Sequence, residues 1–168
     1  MQSQTIHEFG VWLAATPASV LIQTVSWIIP TVQSLHILAI ATVLACVALI
    51  DLRLIGAFST RESLADIVQR FAPWMWRALL VLLLSGSILI IAEPGRSLEN
   101  PAFQLKLIMI VTVATLTYVV QRALRIDGQY WALTASRRWT LRSITGASLV
   151  LWVSIVIAGR WIAYAGLV

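Results

Sequence analysis

The sequence predicts an all-α integral membrane protein: a four-transmembrane-helix bundle with N-terminal interfacial helices and an amphipathic surface helix between spans one and two. Three observations carry that expectation. Of the 168 residues, 60% are apolar and 11% are charged, whereas a soluble domain carries about 25% charged residues; mean hydropathy is +0.88. Four nearly charge-free runs have, with their flanks, the length of about 20 residues that a spanning helix needs. The arginines sit in loops beside those runs, so the net charge of +5 reads as topology and not as a nucleic-acid footprint.

The chain reads as a single membrane domain over 1–168, with spans at about 31–54, 74–93, 101–122 and 142–166. Pro30 and Pro73 suit the first turns of spans one and two, where a missing N–H costs nothing. Asn100-Pro101 reads as N-cap and first helical residue of span three. Pro94-Gly95 closes span two. Ser59-x-x-Glu62 is a capping box. Behind it, Leu64, Ile67, Val68 and Phe71 recur at helical spacing, which predicts a short helix over 60–72 lying on the membrane surface.

Within residues 1–29, Gly10 to Ile29 is apolar and long enough to span but carries Ser19, Gln23, Thr24 and Ser26, and Thr16-Pro17 looks like another N-cap pair. The expectation is two short interfacial or re-entrant helices, with a fifth span over 10–29 as the alternative. No Lys or Arg precedes Arg53, so no basic n-region of a signal peptide is visible. The lone Cys46 provides neither a disulfide nor a cysteine metal site within one chain.

Nine of the twelve basic residues (Arg53, Arg61, Arg70, Arg77, Arg122, Arg125, Arg137, Arg138 and Arg142) fall on one side. The positive-inside rule puts that side in the cytoplasm of a bacterial inner membrane and both termini in the periplasm. Trp27 and Trp161 then mark the outer interface, and Trp74, Trp76 and Trp139 the inner one. Asp51 and Arg53 project from different faces; helix termination and anchoring are their expected roles.

With that topology, each span brings one ionisable group to the same outer layer. His36 is six residues past Pro30, Lys106 five past Pro101, and Arg160 eight before the end of the chain. All three lie roughly 8–12 Å inside the outer ends at about 1.5 Å per residue. Glu93 lies at the rim, just before Pro94. Such groups are costly in lipid and usually face a bundle interior or cavity. Helical spacing adds Gln33 beside His36, Phe103 beside Lys106, and Tyr164 and Trp161 beside Arg160. Plainer roles stand next to this one. Lys106 and Arg160 are near enough to the surface to snorkel, Glu93 suits an interfacial acid, and His36 suits a helix–helix hydrogen bond.

A histidine with nearby cations suits haem b: the imidazole would ligate iron and the cations would meet the propionates. His36 is the expected metal ligand, and His7, on the same side, is the one other histidine able to serve as a second axial ligand. Copper is the weaker choice, because Met109 is the only other soft group at similar depth. No nucleophile triad, P-loop, dinucleotide fingerprint or zincin motif is present, and enzymatic activity is left undecided.

The segments Ser34-Leu35-His36-Ile37-Leu38, Ile50-Asp51-Leu52-Arg53-Leu54-Ile55-Gly56, Pro73-Trp74 and Asn100-Pro101-x-Phe103-x-x-Lys106 resemble an uncharacterised bacterial family of four-helix inner-membrane proteins. More distantly, the first-span histidine and the lysine opening the third span resemble copper-resistance D proteins and the HemJ-type protoporphyrinogen oxidase. That distant resemblance implies haem b at His36 and importance for Lys106. It departs after Lys106, because residues 117–121 hold none of the further histidines of HemJ-like chains.

The expected function is therefore a membrane b-type haem or redox protein with its site in the outer leaflet, built from His36, Lys106, Arg160, Glu93, Gln33, Tyr164, Trp161 and His7. Two alternatives stand beside it: a haem-free protein handling an ion, a metal, a quinone or another small hydrophobic ligand, and an accessory subunit of a larger membrane complex. Gly146, Ala147, Ala158 and Gly159 permit close packing, so a homo-oligomer is open as well. The bilayer is the one certain partner, and no nucleic acid is expected.

Overall fold

The structure, a computed structural model, describes residues 2–57, 64–126 and 135–164. Among them it is entirely helical: α1 (Gln2–Ala14), α2 (Pro17–Thr24), α3 (Ile28–Ile55), α4 (Leu64–Ala92), α5 (Pro94–Leu98), α6 (Pro101–Ile126) and α7 (Ala135–Tyr164). Four of these, α3, α4, α6 and α7, are long and apolar enough to cross a membrane. The 28 residues of α3 extend about 42 Å, more than the roughly 30 Å hydrocarbon layer.

The bundle exposes large apolar side chains and buries several polar ones. Ile37, Leu38, Leu83, Ile108, Val111 and Val150 are each more than 60% exposed, while Asp51, Ser85, Thr117, Gln121, Thr145 and Ser148 are buried. Lipid accounts for the exposed apolar surface, since surface on this scale is not carried by a monomer in water.

The helices pack in the order α4, α3, α7, α6, with α3 against α4 and α7, and α6 chiefly against α7. Two apolar clusters fill the interior. The first joins Val43, Cys46 and Val47 to Met75, Val113 and Trp152. The second joins Ile50 and Leu54 to Ile67, Val68, Ala72, Leu124 and Leu141.

That second cluster corrects one expectation. The helix foreseen over 60–72 does not lie apart on the membrane surface. From Leu64 it runs through Pro73 into the second span as one helix. Pro73 deletes one backbone hydrogen bond, but Ile67, Val68 and Ala72 are buried against the ends of α3, α6 and α7, and that packing carries the helix through the proline. The capping box at Ser59 and Glu62 lies outside the described residues.

Residues 2–24 form two short helices, α1 and α2, split at Thr16-Pro17 as expected, and neither is among the four helices long enough to cross a membrane. Thr16 accepts from the Ser19 N–H at 3.4 Å, with Pro17 opening α2. The polar residues that made this segment ambiguous have a task. Ser19 Oγ donates to the Ile91 carbonyl at 2.7 Å, and Gln23 Nε2 donates to the Ala92 carbonyl at 2.8 Å. These are among the last carbonyls of α4, which have no partner inside their own helix. Asn100 caps α6 as expected, its Oδ1 accepting from the Ala102 N–H at 2.9 Å. At the far end of α3, Gly56 takes φ +86°, and Ala57 N–H reaches back to the Leu52 carbonyl at 2.9 Å. This left-handed helix stop is one that glycine adopts without steric cost.

Candidate functional site

His36 sits on α3, half-buried, and its Nδ1 lies 2.7 Å from Ser85 Oγ on α4. The hydroxyl hydrogen of Ser85 is committed to the Val81 carbonyl at 2.6 Å. With that hydrogen on Val81, Ser85 Oγ accepts and Nδ1–H donates. In that arrangement the imidazole lone pair is on Nε2, where it can ligate a metal or take up a proton. Gly86, next to Ser85, brings backbone close to the ring, so that a Cβ there would meet His36 Cε1 at 3.5 Å.

Lys106, on α6, is half-buried and lies within electrostatic reach of His36. Its side chain turns onto α7, where Nζ would stand 3.0 Å from a Cβ at Gly159. Gly159 thus makes room for Lys106 inside the bundle, a different use from the close helix packing read from the sequence.

The other expected residues divide. Gln33 is exposed and does not join His36 in the interior. Glu93 is exposed, at the turn between α4 and α5. His7 is exposed on α1, with Nδ1 2.8 Å from Glu99 Oε1; α1 packs on α5, α2 and α4, and not on α3. The structure therefore does not bring His7 to His36 as a second ligand. Helix α7 carries Arg160, Trp161 and Tyr164 at the same end, but their side chains lie outside the described residues. Among the described residues no cluster of three or more histidines, cysteines or carboxylates forms a metal cage.

An open cleft of about 380 Å³ lies at the same end, walled by Thr5, Ile6, Phe9, Leu98, Phe103 and Leu107. It is almost wholly apolar and is built by α1, α5 and α6, and His36 is not among its walls.

Sequence reasoning missed the polar interior at the opposite end. Trp76, expected in an aromatic belt, turns inward and donates Nε1–H to Gln121 Oε1 at 3.0 Å. Trp74 and Trp139 do sit exposed, each under an arginine, with Arg77 and Arg142 at 5.6 and 6.0 Å from the ring centres. Asp51, expected to end its helix, is 6% exposed and followed by a further helical turn. The spacings Thr117/Gln121 and Thr145/Ser148 (i,i+4 and i,i+3) were the available signal.

Fold and interior together define a class, the small multi-span helical membrane proteins with ionisable groups inside the bundle. Residues 9–165 match DUF6644, a family of unknown function, and the chain belongs to that family. No curated protein and no solved structure matches it.

Proposed function

We propose that this chain is a membrane-embedded b-type haem or redox protein, with its site in the outer leaflet of a bacterial inner membrane. The observation that carries the reading is the His36–Ser85 pair. A ring held through Nδ1–H with a free Nε2 is the arrangement that metal-ligating histidines share. The donor set fits a haem held by one protein ligand: His36 would bind the iron, and Lys106 would meet a propionate. Haem bound there would supply one-electron chemistry. The residues themselves orient the imidazole, hold a cation beside it and keep backbone in place of bulk at Gly86. The orientation rests on the nine basic residues that the sequence puts in the loops of one side.

The test is the absorption spectrum of protein purified in mild detergent after haem supplementation. A Soret band is expected, abolished by His36→Ala. In Ser85→Ala, haem affinity falls by about 10–100-fold, the usual effect of losing the partner behind a ligand. Clean protein with no chromophore overturns the reading.

A second reading is favoured by the apolar cleft. Its volume falls in the range of about 300–1,000 Å³ usual for ligand pockets, and its lining suits a quinone or another hydrophobic ligand. Protection of the cleft by a bound quinone analogue, indifferent to His36→Ala, would favour this reading over haem.

A further inference from the structure

The buried polar residues at the Asp51 end converge on one small cavity. Asp51 reaches it from α3, Thr117 and Gln121 from α6, and Thr145 and Ser148 from α7. All five are more than nine-tenths buried. Asp51 Oδ2, Thr117 Oγ1 and Ser148 Oγ have no hydrogen-bond partner among the described residues. Ser148 faces the Asp51 carboxylate and is its one neighbouring hydroxyl donor, without reaching good hydrogen-bond geometry. Thr145 donates its hydroxyl hydrogen to the Leu141 carbonyl at 2.7 Å, which leaves its oxygen lone pairs to accept. No salt bridge joins Asp51 to a basic side chain among the described residues. Arg142, the one arginine on the Asp51 side of α7 whose side chain is among the described residues, lies against Gly56 and Trp139 instead.

A buried carboxylate without a cation, beside hydroxyls without partners, is costly unless something positive joins them. The oxygens are hard donors, which select hard cations. One carboxylate balances one positive charge. Calcium takes six to eight oxygens, often from several carboxylates, and magnesium keeps several waters; a cavity of about 10 Å³ holds a single water-sized sphere. We infer that this cavity is a sodium site, with Asp51 as the charged ligand and Thr117, Thr145 and Ser148 as hydroxyl ligands. It ties α3 to α6, two helices that make no close backbone contact with each other among the described residues.

The test is the thermal unfolding midpoint of the purified full chain in detergent at constant ionic strength, with choline replaced stepwise by sodium, lithium or potassium. Sodium is expected to raise the midpoint saturably, by roughly 5 °C. Lithium follows it, potassium has little effect, and Asp51→Asn and Ser148→Ala lose the response. Should those variants fail to fold, the wild-type series with a sodium-23 line width narrowed by competing lithium decides alone. Equal midpoints in sodium and choline, the result for a water-filled or protonated cavity, overturn the inference. So does a sodium response that survives in Asp51→Asn, or one that potassium matches.

Discussion

The two ends of the bundle treat polar groups in opposite ways. At the His36 end every hydrogen bond described closes a circuit. Ser19 and Gln23 serve the carbonyls of α4, Ser85 holds the imidazole, and Glu99 meets His7. At the Asp51 end, oxygens of Asp51, Thr117 and Ser148 are buried without partners among the described residues. In a low-dielectric interior a satisfied network fixes geometry, while an unsatisfied one carries a penalty that a bound species can remove. The first end is built to hold a ring still. The second is built so that its stability depends on what occupies it.

That contrast can be broken most strongly at α2. Ser19→Ala combined with Gln23→Leu strips two carbonyls of their donors and should cost about 2–4 kcal/mol. The loss would appear as a lower unfolding midpoint and as faster hydrogen exchange across α1 and α2. A smaller effect is expected from Gly56→Ala, which forces a side chain into left-handed backbone (φ +86°) at a cost of about 1–2 kcal/mol. Thermal unfolding should show it as a loss independent of sodium. Thr117→Val sharpens the comparison, because its sign differs from the others. In sodium-free buffer it removes an orphaned hydroxyl and should stabilise by about 1 kcal/mol; with sodium present that gain should vanish. The weakest effect belongs to His7→Ala. The pair with Glu99 is exposed, so the change in stability should stay within about 0.5 kcal/mol, and less at high salt.

Much of this architecture is legible in the order of the amino acids alone. The four spans follow from apolar length, and Thr16-Pro17 and Asn100-Pro101 mark the starts of α2 and α6 through chemistry local to a few residues. Pro73 misled for the same reason. Judged locally a proline in helical sequence is a boundary, but the packing of Ile67 and Ala72 on three other helices is not local and overrides it. At the His36 site the histidine and lysine could be placed by depth, whereas Ser85 is 49 residues away from His36 and is one of two serines in α4 that spacing alone does not tell apart. The Asp51 cavity leaves a fainter trace. Each contributing helix brings only one or two polar residues, unremarkable alone, and their meeting depends on helix rotations that sequence spacing does not specify.

The capping of α4 by α2 also fixes an order of events. Ser19 and Gln23 lie 72 and 69 residues ahead of the carbonyls they serve, so they leave the ribosome well before their acceptors exist. The first two helices precede both spans, and their capping contact closes only once α4 has ended. A chain shorn of its first 24 residues would still insert its spans, yet α4 would reach the headgroups with frayed carbonyls and nothing to close it.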